Sequence, residues 1–446
     1  MHNVTLLLYN KCPALVFLTS GVNYIEMAEP TINLFENKTE FTAEERRVSI
    51  YSDTAEPTIP GTVTQDTPLE KLNLNWREKD LPEKERTKHV HRLHPYLGKF
   101  IPQLVEIFLH KYFQPGQTVL DPFCGCGTTL VQANELGINS IGYDISAFNV
   151  LLGRAKVRKY DIDKARKEIS DALDKLRRLT QTRTQLGLWQ ERAAELHIPE
   201  TDNEFLQTWY DPKALDELLT YRCLIQSEGY FYQDLLKIIL SRSARSARLT
   251  THYDLDFPKK PQNEPYWCYK HSRTCSPIRE AFKFINRYSL DTLRRIEEFD
   301  GLRTNAYVEV RHSDSRRASF PTIHGVITSP PYVGLIDYHD QHAYAYHLLG
   351  LKDRRVAEIG PAVNGSGKMA KRQYQLDIAR VFRRAVKAMV QGGWLIVVVH
   401  DSSSLYPEIA SLCGVEEVAV INRHVNRRTG RRSSEFYESI FIWRKA

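Results

Sequence analysis

The stretch Thr118-Val-Leu-Asp-Pro-Phe-Cys-Gly-Cys-Gly-Thr-Thr129 joins a short apolar run to a glycine-rich turn and then to an apolar helix that begins at Thr128. Gly125 and Gly127 allow the backbone to approach a ligand closely, and the N–H groups at the start of a helix attract an anion. Asp121 ends the apolar run as a hydrogen-bond acceptor. The stretch predicts a strand–turn–helix unit of an α/β fold. A purely structural turn and a ligand-binding turn both fit it.

A second apolar run, Ile138-Asn-Ser-Ile-Gly-Tyr-Asp144, favours the ligand-binding interpretation of this turn. It reads as a strand, and it ends in an acid 23 residues after Asp121. In nucleotide-binding α/β folds an acid at this place accepts hydrogen bonds from ribose hydroxyls. The two strands together therefore predict a site for a nucleoside-containing ligand.

A third motif, Thr328-Ser-Pro-Pro-Tyr332, follows the apolar run His324-Gly-Val-Ile-Thr328. Two consecutive prolines must leave the strand, because neither can donate a hydrogen bond to a neighbouring strand and each fixes φ. The result is a rigid tip with a hydroxyl, a carbonyl and an aromatic ring at the carboxyl end of a strand. Open α/β sheets bind their ligands at this edge.

Taken together, these motifs resemble those of the amino-methyltransferases, the S-adenosylmethionine-dependent DNA methyltransferases that act on exocyclic base amines. The form with serine before Pro-Pro-Tyr is most similar to the N4-cytosine branch, although N6-adenine methylation remains open. The family's fold implies an α/β seven-stranded Rossmann-like sheet with a closing antiparallel hairpin and, in this chain, a large, mainly helical insertion. Cys126 stands where the family more often has serine.

The resemblance also assigns roles to individual residues, with S-adenosyl-L-methionine as the cofactor and Asp314 contacting its adenine amine. The expected cofactor-binding residues are Lys99, Phe100, Asp121, Pro122, Phe123, Gly125, Gly127, Thr128, Thr129, Asp144 and Asp314. The expected catalytic residues are Ser329, Pro330, Pro331 and Tyr332. Carbon-5 cytosine methylation would need a cysteine after a proline, and the chain has no Pro-Cys pair.

Composition shifts divide the chain into four segments. Residues 1–88 are predicted to be a flexible arm, because they are polar and show no steady hydrophobic period. The cofactor-binding half is expected over 89–160, the insertion, as a candidate target-recognition region, over 161–303, and the catalytic half over 304–446. Helices are predicted over Asp161–Thr180, Ile336–Leu349 and Leu376–Met389.

The net charge of +7 suits a polyanionic partner such as double-stranded DNA. Residues 241–275 carry seven Lys or Arg against three Asp or Glu, and a later connection, 423–435, holds five arginines. Basic side chains of this kind can hold phosphates, although solvated loops have the same composition. The candidate DNA-binding residues are Arg242, Arg245, Arg248, Arg427, Arg428 and Arg431.

No metal is expected for methyl transfer. Cys268, His271 and Cys275, with His252 as a distant fourth ligand, raise a zinc interpretation, but the spacing is not a paired Cys-x-x-Cys arrangement and buried thiols in a packed loop also explain it. Seven scattered cysteines do not resemble a disulfide framework, which favours a cytoplasmic setting, and no signal peptide or membrane span is predicted.

The expected activity is site-specific methylation of a flipped-out cytosine, as the protective half of a restriction–modification pair with a cognate endonuclease as functional partner. Ser329 and the Pro330 carbonyl would accept the amine hydrogens, and Tyr332 would stack on the base. An RNA-directed or a non-catalytic nucleic-acid-binding relative would share the same motifs.

Overall fold

Parallel strands and the helices that connect them form the core of the protein in a computed structural model. All described residues belong to one compact unit, residues 43–446. The structure describes residues 47–48, 56–96, 98–186, 200–250, 260–268, 271–334, 337–361, 365–425 and 436–446.

The strands over this part of the chain fall into one large sheet and one small hairpin. In chain order they are β1 (Arg47–Val48), β2 (Thr118–Asp121), β3 (Asn139–Asp144), β4 (Tyr266–Cys268), β5 (Arg273–Cys275), β6 (Val308–His312), β7 (Ile323–Thr328), β8 (Met389–Val399), β9 (Val415–His424) and β10 (Tyr437–Lys445). The helices are α1 (Glu83–Arg86), α2 (Pro102–Tyr112), α3 (Thr128–Glu135), α4 (Ala147–Val157), α5 (Ile162–Leu186), α6 (Glu204–Trp209), α7 (Pro212–Ser227), α8 (Gln233–Ala247), α9 (Phe282–Asp300), α10 (Tyr338–Gln341), α11 (Ala343–Leu349), α12 (Lys368–Ala388) and α13 (Tyr406–Cys413).

No helix in the described ranges is long and apolar enough to cross a lipid bilayer.

The large sheet has the strand order β1-β9-β10-β8-β7-β2-β3-β6. Its pairs are parallel except those of β10, which runs antiparallel to both β8 and β9. The predicted seven-stranded sheet with a closing antiparallel hairpin is confirmed, and the two-residue β1 extends its edge beside β9. Strands β3 and β6 follow β2 on one side of the sheet, whereas β7 lies on its other side, so the strand order reverses between β2 and β7. Such a switch point leaves a crevice outside the carboxyl ends of the strands.

Two hydrophobic clusters cover the faces of this sheet, because successive side chains along a strand point to opposite sides. Leu120 and Val397 belong to one cluster with α12 and α13. Their neighbours Val119 and Ile396 belong to the other, with α2. Both faces are therefore buried, as a mostly parallel sheet requires.

The insertion is mainly helical, as predicted, and α5 to α9 enclose a third cluster of their own together with α4 and α11. The amphipathic helix predicted over Asp161–Thr180 is present as the longer α5, which buries Ile169, Ala172 and Leu176. The insertion thus packs onto the cofactor-binding half of the core through α4.

The second half of the predicted flexible arm differs from that prediction. Residues 56–88 contain three-residue 3-10 helices at Pro60–Thr62 and Leu69–Lys71, and Leu72 and Leu74 are fully buried against α2 and the sheet. The sequence predicts one ordered segment within this arm, around Leu72 to Trp76, and both buried leucines lie in it. The absence of a steady hydrophobic period elsewhere in 56–88 gave no sign of the remaining order.

Two of the predicted helices have different bounds in the structure. The helix predicted over Ile336–Leu349 is two short helices, α10 and α11, which meet at His342, while residue 336 lies outside the described ranges. The helix predicted from Leu376 begins eight residues earlier as α12, so the basic residues Lys368, Lys371 and Arg372 are helical. Lys, Arg and Gln have high helix propensities, so the first turns of α12 are helical although they lack the apolar period from which the helix was predicted.

Candidate active site

A cavity of about 820 Å³ opens at the carboxyl ends of β2, β3, β6 and β7, at the switch point of the sheet. It brings together these predicted cofactor residues: Lys99, Phe100, Asp121, Pro122, Phe123, Gly125, Thr128, Asp144 and Asp314. Ser329 and Pro331 of the predicted catalytic motif line the same cavity.

Asp144 is held at the end of β3 by three hydrogen bonds to its carboxylate. The Gly125 N–H donates to Oδ2 at 2.9 Å, and the Ser146 N–H and the Asn149 side-chain amide donate to Oδ1 at 2.8 and 3.2 Å. Burial nevertheless raises the pKa of Asp144 to about 6, and the nearby Glu358 adds to this effect against the hydrogen bonds. The carboxylate is fixed in place and faces the cavity.

The glycine-rich turn needs its glycines for conformation as well as for space. Gly125 and Gly127 have φ values of +47° and +79°, in the left-handed region that favours glycine. A Cβ at Gly125 would lie 3.3 Å from the hydroxyl of Tyr96, so a side chain there would crowd the cavity wall. Gly127 precedes α3 and does not line the cavity itself.

Asp121 and Thr328 link the two halves of the core across the switch point. The Thr328 hydroxyl donates to Asp121 Oδ1 at 2.6 Å, and the Phe123 N–H donates to the same oxygen at 3.2 Å. Burial raises the pKa of Asp121 to about 6, although these hydrogen bonds and one from Thr129 lower it. Thr129 also donates to the Ile327 carbonyl at 3.3 Å, so it supports β7 from behind the cavity wall.

The catalytic motif leaves β7 directly after Thr328. Ser329 and Pro331 face the cavity, and Pro330 between them is buried. Tyr332 is half-buried and packs against the hydrophobic cluster beneath α12 and α13, so its ring lies next to the cavity wall and not in it. The motif therefore places one hydroxyl within reach of a ligand that contacts Asp144.

Asp314 lies after β6, where it was predicted, but its carboxylate is already occupied by an arginine. Arg316 donates to both of its oxygens, with a shortest N–O distance of 2.9 Å, and also reaches Asp377 and the Ala357 carbonyl. Burial would raise the pKa of Asp314, but Arg316 holds it below its ordinary value. Asp314 thus lines the cavity as an ionised, immobilised acceptor.

Lys99 and Phe100 border the opposite side of the cavity. The Lys99 ammonium donates to the His91 carbonyl at 2.9 Å, and burial lowers its pKa to about 8. Phe100 is buried among the residues of α2. Lys99 supplies a positive charge next to the glycine-rich turn.

Among the cavity residues that were not predicted from the sequence are two polar ones, Asn149 and Glu358, whereas Tyr96 lies in the stretch from His94 to Phe100 that resembles the family's preceding cofactor motif. The buried Asn149 Oδ1 has no hydrogen-bond partner within the described residues, which is a costly state for an amide oxygen. Asn149 lies five residues after Asp144 and is the one polar residue in the apolar run from Ala147 to Leu152, so this isolated polar residue was a usable signal. Glu358 comes from a connection with no pattern that marks it.

The predicted DNA-binding arginines of the insertion need a correction. Arg242 is 8% exposed and its guanidinium binds Asp291 at 2.6 Å, and Arg248 is 3% exposed and packs over Trp209 and Tyr344. Both guanidinium groups therefore make structural contacts in this conformation. The neighbouring segments that bury them, which include α9 for Arg242, are distant in sequence, so a count of basic residues did not reveal this burial. Arg245 is partly exposed.

The remaining predicted arginines, Arg427, Arg428 and Arg431, lie outside the described residues, as does His252. A basic groove that the sequence did not reveal lies beside α9, with a volume of about 1070 Å³. Five arginines and one acid line it: Arg92, Arg242, Arg287, Arg294, Arg295 and Asp291. Asp291 forms ion pairs with Arg242, Arg294 and Arg295, whereas Arg92 and Arg287 are exposed.

Comparison of the sequence with known proteins identifies the family of this chain. Residues 14–152 match the model of a family described as DNA methylase. The chain is 37% identical over 430 aligned residues to the type II methyltransferase M.MjaII of Methanocaldococcus jannaschii, with 81% of each chain covered. It is 25% identical over 297 residues to the type II methyltransferase M.BsoBI of Geobacillus stearothermophilus, with 62% of this chain and 56% of the relative covered.

Among solved structures, the rRNA methyltransferase aviRa from Streptomyces viridochromogenes is 13% identical, with a TM-score of 0.32 over 83% of this chain and 97% of the other. The family rests instead on the long alignment to M.MjaII, on the match to the DNA methylase model, and on the motifs gathered around the cavity. The chain therefore belongs to the amino-methyltransferase family of S-adenosylmethionine-dependent DNA methyltransferases.

Proposed function

We propose that this DNA amino-methyltransferase transfers a methyl group from S-adenosylmethionine to the N4 amine of cytosine at a specific DNA sequence. One observation carries the proposal: Ser329 and Pro331 share a single cavity with Asp144 and the glycine-rich turn. Methyl transfer needs a cofactor and an amine in one enclosed space, and the family's motif with serine before Pro-Pro-Tyr supports cytosine as the base.

The residues of the cavity fit a nucleoside cofactor. Asp144 would supply carboxylate oxygens for ribose hydroxyls, and Asn149 Oδ1 beside it, which has no hydrogen-bond partner within the described residues, would accept a further donor. Asp314, which lines the same cavity after β6 and is held by Arg316, is proposed to accept a hydrogen bond from the adenine amine. The cofactor supplies an electrophilic methyl group on a positively charged sulfur.

The amine acts as nucleophile in the proposed reaction, and the protein must direct its lone pair. The lone pair of an exocyclic base amine is delocalised into the ring, so the amine is a poor nucleophile. The oxygens of the Ser329 hydroxyl and the Pro330 carbonyl would accept hydrogen bonds from the two N–H groups of the amine. These hydrogen bonds would draw electron density back to the nitrogen. The cofactor, held by Asp144 and the glycine-rich turn, would supply the methyl group as an electrophile to the amine nitrogen, which would lose its extra proton to solvent water. Positioning alone contributes about 7–11 kcal/mol to such steps.

Tyr332 is proposed to hold the target base. A base inside a duplex cannot reach the cavity, so the target nucleotide must rotate out of the helix. The ring of Tyr332 already lies beside the cavity, against the cluster that contains Phe382 and Tyr406. A rotation about its side-chain bonds brings the ring over the base, where its face also favours the positive charge that develops on the amine.

The groove beside α9 is proposed to bind the DNA backbone through its exposed arginines. Arg287 is exposed on α9, and Arg92 is exposed on the segment that leads directly to the cavity residues Tyr96 and Lys99. Arginines bind phosphates through two parallel hydrogen bonds. A DNA strand that contacts both would pass near the mouth of the cavity.

The biological setting is proposed to be restriction–modification. The two relatives are named type II methyltransferases, a class that suits a protective role opposite an endonuclease of the same specificity. Methylation of the recognised site would block cleavage of the host's own DNA.

Product identity tests the proposal. The purified protein is incubated with unmodified duplex DNA and S-adenosylmethionine, the DNA is digested, and the nucleosides are identified by mass spectrometry, with Ser329→Ala as the inactive control. N4-methylcytosine is the expected product. N6-methyladenine would overturn the base assignment while keeping the mechanism, and methylation of RNA but not DNA would overturn the substrate.

A further inference from the structure

The small hairpin of the insertion carries a cluster of metal-binding side chains that methyl transfer does not use. Cys268 ends β4, Cys275 ends β5, and His271 lies in the turn between them. One ligand atom from each of the three lies within 4.8 Å of the others. Two thiols and an imidazole are the ligand types that zinc prefers in proteins.

The two distances from His271 to the cysteines are close to those of a tetrahedral metal site. His271 Nδ1 lies 3.4 Å from Cys268 Sγ and 3.3 Å from Cys275 Sγ. With Zn–S and Zn–N bonds of about 2.3 and 2.0 Å, the sulfur and nitrogen ligands of one tetrahedral zinc ion are separated by about 3.5 Å. Both nitrogen–sulfur distances therefore lie within a few tenths of an ångström of the tetrahedral value, and the two sulfurs lie within 4.8 Å of each other.

The register of the hairpin disfavours a direct disulfide. Cys268 pairs with Arg273, and Cys275 pairs with Tyr266, so the two cysteines are diagonal neighbours on one face of the antiparallel pair. Diagonal neighbours are about 7–8 Å apart, whereas a disulfide needs Cα atoms within about 6.8 Å. A metal ion bridges a gap that an S–S bond spans poorly.

Both thiols of the hairpin are buried. Cys268 is 1% exposed and Cys275 is 5% exposed. The hairpin has strands of three residues each, and Trp267 on it is 55% exposed. An isolated two-stranded hairpin is marginally stable at best, so one of this size needs a further constraint.

We propose that Cys268, His271 and Cys275 bind a zinc ion that fixes this hairpin. The two cysteines bind as thiolates, releasing their protons on binding, and His271 binds through Nδ1. Water or a further side chain completes the tetrahedron. The sequence argued against zinc because the spacing is not a paired Cys-x-x-Cys, but the fold of the hairpin brings the three ligands together despite this spacing.

A second group, His89, His91 and Glu135, has its ligand atoms equally close but suits a metal less well. The Lys88 ammonium already lies 2.8 Å from the Glu135 carboxylate. A fixed positive charge at this distance opposes the binding of a dication.

Metal content tests the proposal independently of methyl transfer. The full-length protein, purified without chelator, is analysed for zinc by mass spectrometry, and the apoprotein is titrated with Co²⁺. We expect about one zinc per chain and a sulfur-to-cobalt charge-transfer band in the near ultraviolet. Cys268→Ser and Cys275→Ser should each lose both signals, whereas Cys223→Ser, a cysteine of α7 outside the cluster, should keep them.

Two results would overturn the zinc site. One is a wild-type protein that neither contains stoichiometric zinc nor gives the cobalt band. The other is a Cys268–Cys275 disulfide in peptides mapped under non-reducing conditions. If a serine variant does not fold, removal of zinc from wild type with a chelator replaces it: the expected result is increased proteolysis of the hairpin while the far-ultraviolet circular dichroism is retained, and unchanged proteolysis counts against the site.

Discussion

Replacing Thr328 by valine removes the hydrogen bond that joins β7 to β2 across the switch point while keeping the shape of the side chain. The Thr328 hydroxyl donates to Asp121 at 2.6 Å, and both residues are buried. The carboxylate keeps the Phe123 N–H at 3.2 Å and the interaction with Thr129, but loses its shortest donor. We expect Thr328→Val to destabilise the protein in a pH-dependent manner.

The size of the effect follows from the charge on Asp121. Burial has already raised its pKa from 3.8 to about 6, which corresponds to roughly 3 kcal/mol of lost stabilisation of the ionised form. A hydrogen bond to a charged group contributes about 1.5–3 kcal/mol, and a neutral one about 1 kcal/mol. The variant should therefore lose about 2–3 kcal/mol at pH 8, where Asp121 is ionised, and about 1 kcal/mol at pH 5, where it is largely protonated.

The direction of the pH effect is set by proton binding. Because the native pKa of Asp121 exceeds its unfolded value, native protein binds more protons between about pH 4 and 6, and the contribution of this group to stability falls as pH rises through that window. Without the threonine donor the native pKa rises further. The loss of stability in the variant then extends to higher pH.

Urea unfolding at pH 5 and pH 8 measures the difference. Thr292→Val is the matched control, because Thr292 is fully buried in α9 and its hydroxyl has no hydrogen-bond partner within the described residues. That control should be neutral or slightly stabilising at both pH values, and Thr328→Ser should retain most of the wild-type stability. An equal loss at both pH values in Thr328→Val would refute the role of the ionised carboxylate.

Three further substitutions test the proposed site. Asp144→Asn should weaken cofactor binding about tenfold or more at pH 8. The wild-type affinity for the cofactor should fall below about pH 6, where Asp144 becomes protonated, and the variant should not show this fall, as calorimetry at several pH values can measure. Tyr332→Ala should lower the rate of methyl transfer at least about 100-fold with unchanged cofactor affinity, because its ring contacts the base. Arg92→Ala and Arg287→Ala should each weaken DNA binding and reduce the slope of log affinity against log salt by about one, which Arg383→Ala on α12 should not do.

Each of these predictions has an outcome that contradicts it. Cofactor affinity that is equal in wild type and Asp144→Asn would remove Asp144 from the ribose site. Retained methyl transfer in Tyr332→Ala would show that the base is held elsewhere. An unchanged salt slope in both arginine variants would move the DNA-binding surface away from α9.

The sequence predicted the sheet and one wall of the site well because local rules act there. Gly125 must adopt a positive φ, consecutive prolines must end β7, and an acid after a buried strand must face solvent or a ligand. Asp144 and Ser329 therefore lie where the motifs placed them. Such residues are determined by a few neighbours in sequence.

The parts that the sequence did not predict depend on contacts between distant segments. The burial of Arg242 follows from Asp291 on α9, 49 residues away, and the basic groove forms only when Arg92 meets α9. Glu358 reaches the cavity from a connection without regular structure. Hydrophobic periodicity carries no information about such pairings.

The pairing of β2 with β7 has a consequence for biosynthesis. Val119 pairs with Gly325, so the edge of β2 finds its partner only after about 200 further residues have been made. At about 5–20 residues per second, this interval lasts about 10–40 seconds. During that time the nascent chain carries an unpaired apolar strand edge next to the folded helices of the insertion. The protein's yield on expression should therefore depend on chaperones and on the speed of translation between α4 and β7.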